Sequence, residues 1–393
     1  MAQEQFQGQF IPPKRTLMGP GPSDVSQRVL DALGRPTIGH LDPEFIRLMD
    51  EIKALLQYAF QTKNELTMPV SAPGSAGMET CFVNLVEPGD KVIVCRNGVF
   101  GGRMLENVER CGGTAVMVDD PWGRAVDVAK VKAALEANPD AKIVAFVHAE
   151  TSTGAVSDAK AIAELARQHD CLTIVDTVTS LAGSELRVDD WGLDAVYSGT
   201  QKCLSCIPGI SPVTFSGRAL AKANNRATKV QSWFLDLNLV TAYWGTGAKR
   251  AYHHTAPVND LYAFHESLLM LKEEGIENAW ARHQNLHEKL VAGLAVLGLT
   301  VVPPEGERLA QLNTVMIPEG IDDATVRGRL LSEYNLEIGA GLGDFAGKAW
   351  RIGLMGSACT EANVRFCLES LETVLIDLGV DVEPGSAVAA AFA

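Results

Sequence analysis

Six short apolar runs rich in β-branched residues recur between residues 91 and 215, and the longer gaps between them can hold helices, as at 126–136 and 158–168. Their continuous apolar character is typical of strands buried on both faces. Crossover helices in the gaps allow neighbouring strands to run parallel. The pattern therefore predicts an α/β fold with a mostly parallel sheet. The runs are KVIVC (91–95), TAVMV (114–118), KIVAFV (142–147), LTIVD (172–176), DAVYS (194–198) and PVTF (212–215).

The last third of the chain has a different pattern. A long helical stretch covers about 259–297, and two strand-like runs and two further helical patterns follow it. This arrangement is typical of a smaller α+β domain. The expected strands are 299–303 and 312–317, and the expected helices are 322–334 and 360–378.

The length of 393 residues exceeds the size at which a single hydrophobic core stops growing, so two domains are expected. Four prolines, at positions 12, 13, 20 and 22, disfavour regular structure near the start, because proline fixes φ and lacks a backbone N–H. We therefore expect an N-terminal arm at 1–22, a large domain at 23–275 and a small C-terminal domain at 276–393.

Composition excludes several classes of protein. The net charge of −14 would repel a phosphate-coated polymer, so nucleic acid is not an expected partner. The sequence has neither a basic start followed by an apolar segment nor a run of about 18 apolar residues, so export and a membrane span are not expected. Eight scattered cysteines favour reduced thiols, and we expect a cytoplasmic protein.

Metal binding is not expected. Cys203 and Cys206 form a CxxC pair, but no second Cys or His pair has the spacing of a zinc site. His253 and His254 are adjacent and would point apart on a strand. Both pairs are more typical of structural residues.

Two strand-end residues predict the chemistry. Asp176 ends the run LTIVD, and Lys202 follows the next run within SGTQK at 198–202. Open α/β sheets place their ligands at the carboxyl ends of the strands. A lysine there can form a Schiff base with the aldehyde of pyridoxal 5′-phosphate, and the carboxylate can hold a proton on the pyridine nitrogen. We therefore predict that Lys202 and Asp176 are the catalytic residues of a pyridoxal phosphate enzyme.

A turn of small residues upstream is a candidate phosphate site. The segment SAPGSAGME at 71–79 follows the strand-like run MPV and precedes a helical pattern. The first backbone N–H groups of a helix lack intrahelical partners and bind anions. Gly74, Ser75 and Ala76 are the predicted phosphate ligands.

Seven ordered motifs, two of which contain these catalytic residues, together point to one family. They are GPGPS (19–23), GHLDPE (39–44), HAETSTG (148–154), VD (175–176), GTQK (199–202), YHHT (252–255) and WRIG (350–353). Over about 15–380 the chain resembles the class V aminotransferases of the alanine–glyoxylate and serine–pyruvate group. The resemblance implies an enzyme with the fold-type I pyridoxal phosphate transferase architecture and a seven-stranded sheet in its large domain.

The resemblance also implies contacts with the cofactor. Val178 would lie against one face of the ring, and Phe100, at a position that is commonly Trp in the family, would stack on the other face. Thr151 would hydrogen-bond the ring hydroxyl. Thr200 and Gln201 would lie against the phosphate.

Further residues of the resemblance concern the substrate and a second subunit. Tyr252 and Thr255 resemble residues that reach the phosphate from a neighbouring subunit, which implies a homodimer with shared active sites. Arg351 resembles the arginine that binds the substrate α-carboxylate, and a planar guanidinium can do so through two parallel hydrogen bonds. His40 is a further candidate for the substrate pocket.

The implied reaction transfers the amino group of a small amino acid, alanine or serine, to glyoxylate and gives glycine and a 2-oxo acid. One alternative stays open, because stretches such as 60–64 and 199–205 resemble the (S)-ureidoglycine–glyoxylate aminotransferase of purine breakdown. The resemblance implies that this branch has amide side chains at the positions of His40 and Tyr252. The histidine and the tyrosine found here instead resemble the residues of the alanine–glyoxylate branch at these positions.

Overall fold

The computed structural model of the chain describes residues 8–245 and 250–393, so the first seven residues of the predicted arm lie outside the described residues. The strands are β1 (Thr16–Leu17), β2 (Leu66–Val70), β3 (Lys91–Arg96), β4 (Thr114–Asp119), β5 (Ile143–Val147), β6 (Ala149–Glu150), β7 (Ala155–Val156), β8 (Leu172–Asp176), β9 (Ala195–Tyr197), β10 (Ser211–Phe215), β11 (Leu312–Met316), β12 (Leu336–Glu337), β13 (Gly339–Ala340) and β14 (Ala349–Gly353). The helices are α1 (Gln27–Leu33), α2 (Pro43–Phe60), α3 (Gly74–Leu85), α4 (Val99–Arg110), α5 (Val128–Ala137), α6 (Ala159–Gln168), α7 (Val188–Trp191), α8 (Gly217–Asn224), α9 (Leu237–Trp244), α10 (Val258–Glu274), α11 (Ile276–Val296), α12 (Asp323–Tyr334), α13 (Glu361–Asp377) and α14 (Ser386–Ala391).

Seven strands form the large sheet, in the order β2-β10-β9-β8-β5-β3-β4. The five strands from β9 to β4 run parallel, and β10 is antiparallel to both of its neighbours. Strands β5 and β8 are buried at every residue, as their continuous apolar sequences require. The prediction of an α/β fold with a mostly parallel, seven-stranded sheet is confirmed.

Three neighbouring strands end together at the carboxyl edge of this sheet. Val147 of β5 is paired with Asp176 of β8, and Asp176 is paired with Tyr197 of β9. Helix α3 lies close to the same edge, because Gly77 has no side chain. A Cβ atom at Gly77 would overlap the Ser211 hydroxyl. The chain segments that leave these strands are therefore brought together beside the start of α3.

A second apolar core lies in the C-terminal part of the chain. Strands β11, β14 and β13 form an antiparallel sheet, and helices α11 to α14 pack around the core. Its members include Met18, Leu290, Trp350 and Leu371, whereas a separate and larger core surrounds the seven-stranded sheet. The described residues thus form two separate apolar cores, and the division into an arm and two domains, with boundaries at 22/23 and 275/276, stays a prediction.

Three local predictions are corrected by the structure. The stretch at 259–297 is two helices, because the chain turns at Gly275 with a φ of +87°, which glycine adopts without strain. The expected strand at 299–303 is only a single bridge between Val301 and Val315, because Pro303 and Pro304 have no N–H to continue a ladder.

The third correction concerns the predicted arm. It is not wholly irregular, since β1 pairs in parallel with β12 and places Met18 in the second core.

Within residues 8–245 and 250–393, none of the helices is long and apolar enough to cross a membrane.

Candidate active site

A cavity of about 190 Å³ lies at the carboxyl edge of β5, β8 and β9. It brings together eight of the residues predicted from the sequence, namely Gly74, Ser75, Phe100, Thr151, Asp176, Val178, Gln201 and Lys202. Six residues that the sequence reasoning did not select complete the lining, namely Pro73, Met78, Arg103, Ala149, Thr179 and Tyr197.

Asp176 is buried at the end of β8 and is held by two hydrogen bonds. The backbone N–H of Val178 donates to Oδ1 at 2.8 Å, and the Tyr197 hydroxyl donates to Oδ2 at 2.7 Å. Burial raises the pKa of Asp176 to about 7, although both hydrogen bonds act in the opposite direction. A cation in contact with this carboxylate would favour its ionised form. A protonated pyridine nitrogen is such a cation.

Lys202 lies on the loop that follows β9. Its Nζ donates a hydrogen bond to the Pro20 carbonyl. Burial, and then the positive charge of Arg351, lower the pKa of Lys202 to about 8. Gly21 has a φ of +102°, and a Cβ atom there would overlap Lys202 Nζ. Gly21 of the GPGPS motif therefore leaves room for Lys202, and this contact connects the motif to the site.

The start of α3 provides the donor groups that a phosphate requires. Pro73 is the N-cap, and no side chain caps the helix, so the first N–H groups of α3 remain available beside the cavity. The buried Gln201 Oε1 has no hydrogen-bond partner among the described residues. A side-chain amide without a partner can turn its N–H toward a phosphate oxygen.

Two predicted phosphate contacts do not line the cavity. The N–H of Ala76 donates to the Pro73 carbonyl at 2.7 Å. The buried hydroxyl of Thr200 donates to the Ile207 carbonyl at 2.6 Å and holds the lysine loop. The phosphate roles of Ala76 and Thr200 stay predictions.

Arg351 is buried in the middle of β14, beside the cavity but outside its lining. Its Nε donates to the Ala340 carbonyl at 2.7 Å, and its Nη1 donates to the carbonyl of the cavity residue Thr151 at 3.2 Å. In the parts of the chain that the structure describes, no carboxylate lies within ion-pair distance. Burial lowers the pKa of Arg351 to about 10, although the negative charge of Glu150 acts in the opposite direction. A buried guanidinium of this kind is stabilised by a bound anion.

His40, Tyr252 and Thr255 lie away from the cavity of their own chain. The rings of His40 and Tyr252 are 5.3 Å apart, and Tyr252 is 63% exposed. His40 Nε2 is buried without a partner in the described part of the chain. Trp233, also 63% exposed, stacks on His253 with ring centroids 4.5 Å apart. We call His40, Trp233, Tyr252 and His253 the aromatic surface.

The histidine pair has structural partners. His253 Nδ1 and His254 Nδ1 are 2.8 Å apart, and His254 Nε2 is 2.9 Å from the Ser71 hydroxyl. Burial and the neighbouring His253 lower the pKa of His254 to about 4. Within residues 8–245 and 250–393, no cluster of three His, Cys, Asp or Glu side chains could hold a metal ion.

Sequence reasoning missed three polar residues of the lining, namely Thr179, Tyr197 and Arg103. Tyr197 carries the hydroxyl that binds Asp176, and a tyrosine at the end of an otherwise apolar strand is the signal that could have identified it. Arg103 follows Phe100 by one helical turn, and its guanidinium carbon lies 4.8 Å from the Phe100 ring centroid. The spacing of three residues on α4 could have connected these two side chains.

The sheet and the cavity together define a pyridoxal-phosphate-dependent enzyme. A strand-end carboxylate, a strand-end lysine and an uncapped helix start converge on one site, and the apolar side chains of Phe100 and Val178 line it. These donors fit the pyridine nitrogen, the aldehyde and the phosphate of that cofactor. A model of the family described as aminotransferase class V matches residues 18–350. The chain belongs to the class V aminotransferases.

Several proteins of known activity resemble the chain over nearly its whole length. The crystal structure of alanine–glyoxylate aminotransferase from Nostoc sp. is 45% identical, covers 95% of this chain and 98% of that one, and has a TM-score of 0.92. The ureidoglycine–glyoxylate aminotransferase structure from Bacillus subtilis is 38% identical, covers 98% of both chains and has a TM-score of 0.95. Alanine–glyoxylate aminotransferase from Drosophila melanogaster is 38% identical over 92% of this chain and 93% of its own length.

Proposed function

We propose that the chain transfers the amino group of a small amino acid, alanine or serine, to glyoxylate, which gives glycine and a 2-oxo acid. The observation that carries this proposal is Arg351, a buried guanidinium beside the cavity that has no carboxylate partner in the described residues. Amino acids and 2-oxo acids share one α-carboxylate, which a guanidinium binds in two parallel hydrogen bonds. Alanine–glyoxylate aminotransferases are among the relatives that match over most of their length.

Bound pyridoxal phosphate supplies an electron sink for the charge that develops when the substrate Cα loses its proton. Lys202 would hold the cofactor covalently through its Nζ, and the same amine, once released, would move the proton at the substrate Cα. The lowered pKa of Lys202, about 8, increases the fraction of Nζ that is unprotonated near neutral pH. Asp176 would hold the proton on the pyridine nitrogen. The Tyr197 hydroxyl and the Val178 N–H fix the two carboxylate oxygens of Asp176.

The number of carboxylates on the donor is limited by the cations that can bind them near the cavity. Arg351 offers one buried site for a carboxylate, and Lys202 is committed to the cofactor. Arg103 is exposed and lies over the Phe100 ring. The site thus favours donors with one carboxylate, such as alanine and serine.

A second candidate is ureidoglycine–glyoxylate aminotransferase activity. The Bacillus subtilis structure of that name matches 98% of both chains with a TM-score of 0.95, which favours this reading. The side chains of His40 and Tyr252 favour alanine–glyoxylate aminotransferase activity. An imidazole and a phenol offer fewer hydrogen-bonding groups than amide side chains to a ureido group.

We also propose that the enzyme is a homodimer with shared active sites. Tyr252 and Thr255 are exposed and lie outside their own chain's cavity, and Trp233 is an exposed aromatic ring in the aromatic surface. Exposed aromatic groups of this kind are typical of interfaces. Sedimentation velocity over a range of protein concentrations measures the oligomeric state. A monomer with full activity would contradict shared active sites.

We propose the cytoplasm as the location, since the eight cysteines are all free and buried. Fractionation of cells that produce a tagged full-length chain tests this proposal. Recovery with a membrane or in an oxidising compartment would overturn it.

One absorption experiment tests the reaction. The purified protein is reconstituted with pyridoxal phosphate, and its visible band is followed after adding alanine, serine or freshly made ureidoglycine singly, without an acceptor. Loss of the band with alanine or serine, and formation of glycine after glyoxylate is added, is the expected result. Loss with ureidoglycine alone would favour the second candidate. Absence of any cofactor band would contradict both.

A further inference from the structure

Glu150 is a fully buried carboxylate beside the cavity to which the proposed function gives no role. It ends β6 immediately before the cavity residue Thr151, and its exposure is 0%. Burial raises the pKa of Glu150, and the hydrogen bonds from Ser152 and from backbone N–H groups oppose that effect. Burying a carboxyl group costs free energy unless its oxygens are paired. The groups that pair with it therefore indicate what it positions.

One oxygen of Glu150 binds the start of α4, the helix that carries Phe100, and the other oxygen binds Ser152 of its own hairpin. Glu150 Oε2 accepts the Phe100 N–H at 3.1 Å. Glu150 Oε1 accepts both the N–H of Ser152, at 3.0 Å, and its hydroxyl, at 2.6 Å. The Ser152 Oγ in turn accepts the Val99 N–H at 3.0 Å. The first two N–H groups of α4 are thus satisfied by side chains of another element.

Helix α4 has no cap from its own sequence. Its N-cap residue is Gly98, which provides no side-chain acceptor. A Cβ atom at Gly98 would lie 2.5 Å from Glu150 Cδ and would also overlap Ser152 Oγ. Glycine at this position therefore permits the carboxylate and the hydroxyl to reach the helix start. Unpaired N–H groups at a helix start are commonly capped from the preceding residue, and here the cap comes from 50 positions further along the chain.

We propose that Glu150 is a positioning residue, which holds Phe100 in place for stacking on the cofactor ring by capping α4 from the β6–β7 hairpin. This inference rests on the proposed function, because the stacking partner is the cofactor. The same hairpin contains Thr151, whose carbonyl accepts Arg351 Nη1. The hairpin thus contacts both Phe100, through the Glu150 carboxylate, and Arg351, through the Thr151 carbonyl, and holds the two relative to each other.

A double-mutant cycle on cofactor affinity tests the proposal. The dissociation constant for pyridoxal phosphate is measured by titration for wild type, Glu150→Ala, Phe100→Ala and the double variant, with circular dichroism of the cofactor band as a second readout. If Glu150 acts through Phe100, Glu150→Ala weakens binding roughly 10-fold, the scale of a lost helix cap. In the Phe100→Ala background the same change weakens binding less than about twofold.

Two further variants separate positioning from folding. Glu150→Gln keeps the side-chain volume and one acceptor oxygen, so it should weaken binding less than Glu150→Ala, and it takes the place of that variant in the cycle if the alanine protein does not fold. Asp158→Asn alters an exposed carboxylate that caps α6 by accepting the Ala161 N–H at 2.9 Å. It should leave cofactor affinity unchanged.

The outcomes separate the positioning role of Glu150 from the proposed function. Equal effects of the Glu150 change in both backgrounds, or unchanged affinity and dichroism in the single variant, would overturn the positioning role. A wild-type protein that does not bind the cofactor at all would instead refute the proposed function. Cofactor binding by wild type with a strongly non-additive cycle supports both.

Discussion

The cavity and the aromatic surface both contain residues of the seven sequence motifs. A single chain, however, encloses only the cavity. Asp176 and Tyr197 are buried, and each has its hydrogen-bond partner within the chain. At the aromatic surface, by contrast, Trp233 and Tyr252 are each 63% exposed, and His40 Nε2 has no partner in the described residues. The predicted catalytic residues therefore lie together within one chain, whereas the aromatic surface acquires a role only through the proposed dimer.

Replacing Lys202 tests the cavity with the largest expected effect. Lys202→Ala should lower kcat by at least about 10²–10⁴-fold, because it removes the group that moves the Cα proton. The covalent link to the cofactor should also be lost, while the far-ultraviolet circular dichroism spectrum stays that of wild type. Lys160→Ala, at an exposed lysine of α6, is the matched control. Activity within tenfold of wild type would refute the role of Lys202.

Replacing Arg351 separates substrate binding from cofactor binding. Arg351→Ala should raise KM for the amino acid by roughly 10–100-fold, the scale of hydrogen bonds to a charged group of about 1.5–3 kcal/mol. Its effect on the dissociation constant of pyridoxal phosphate should be much smaller. Arg365→Ala, which removes an exposed ion pair with Glu361, serves as the control. Loss of the cofactor with an unchanged KM would contradict the assignment.

A change at the aromatic surface tests whether that surface needs a second chain. Trp233→Ser should weaken the dimer by roughly 30-fold, which corresponds to an interface hot spot of about 2 kcal/mol. Specific activity should then fall as the protein is diluted, and sedimentation velocity measures the dissociation. Leu378→Ser changes a partly exposed apolar residue beyond α13 and should leave the dimer intact. Equal dissociation constants for Trp233→Ser and wild type would separate this surface from the interface.

The last prediction concerns the burial of Asp176 in the cofactor-free protein. Its folded-state pKa of about 7 lies above the ordinary value of 3.8, so the folded state holds an extra proton between these values. The stability that this proton contributes is complete below pH 3.8 and is lost as pH rises through 7. Urea unfolding at pH 5 and pH 8 should show wild type losing roughly 1–3 kcal/mol relative to Asp176→Asn. An unchanged difference would show that Asp176 is not desolvated.

The strands of the large sheet could be predicted because their sequences reflect burial on both faces. The run LTIVD coincides with β8, and KVIVC differs from β3 only by the added Arg96. The same reasoning failed at 299–303, where apolar residues are followed by two prolines and no ladder forms. It also failed at Thr16–Leu17, since pairing with β12 depends on a chain segment more than 300 residues away.

The site was predictable where position along a strand decides function. Asp176 ends β8 and Lys202 follows β9, so parallel neighbours bring both to one edge. Glu150 escaped selection because its role depends on contacts with α4, and Arg103 because its side chain acquires meaning only beside Phe100. Such contacts join segments whose separation in the sequence carries no regular pattern.

The sequence by itself determined the α/β architecture, the cofactor and the strand-end positions of the predicted catalytic pair, because periodicity and strand ends are local properties of the chain. Only the tertiary structure decided that the buried Arg351 has no carboxylate partner among the described residues, that Gly21 leaves room for Lys202, and that Glu150 caps α4. The physical reason is that burial and hydrogen-bond partnership are set by distant segments packed at close range.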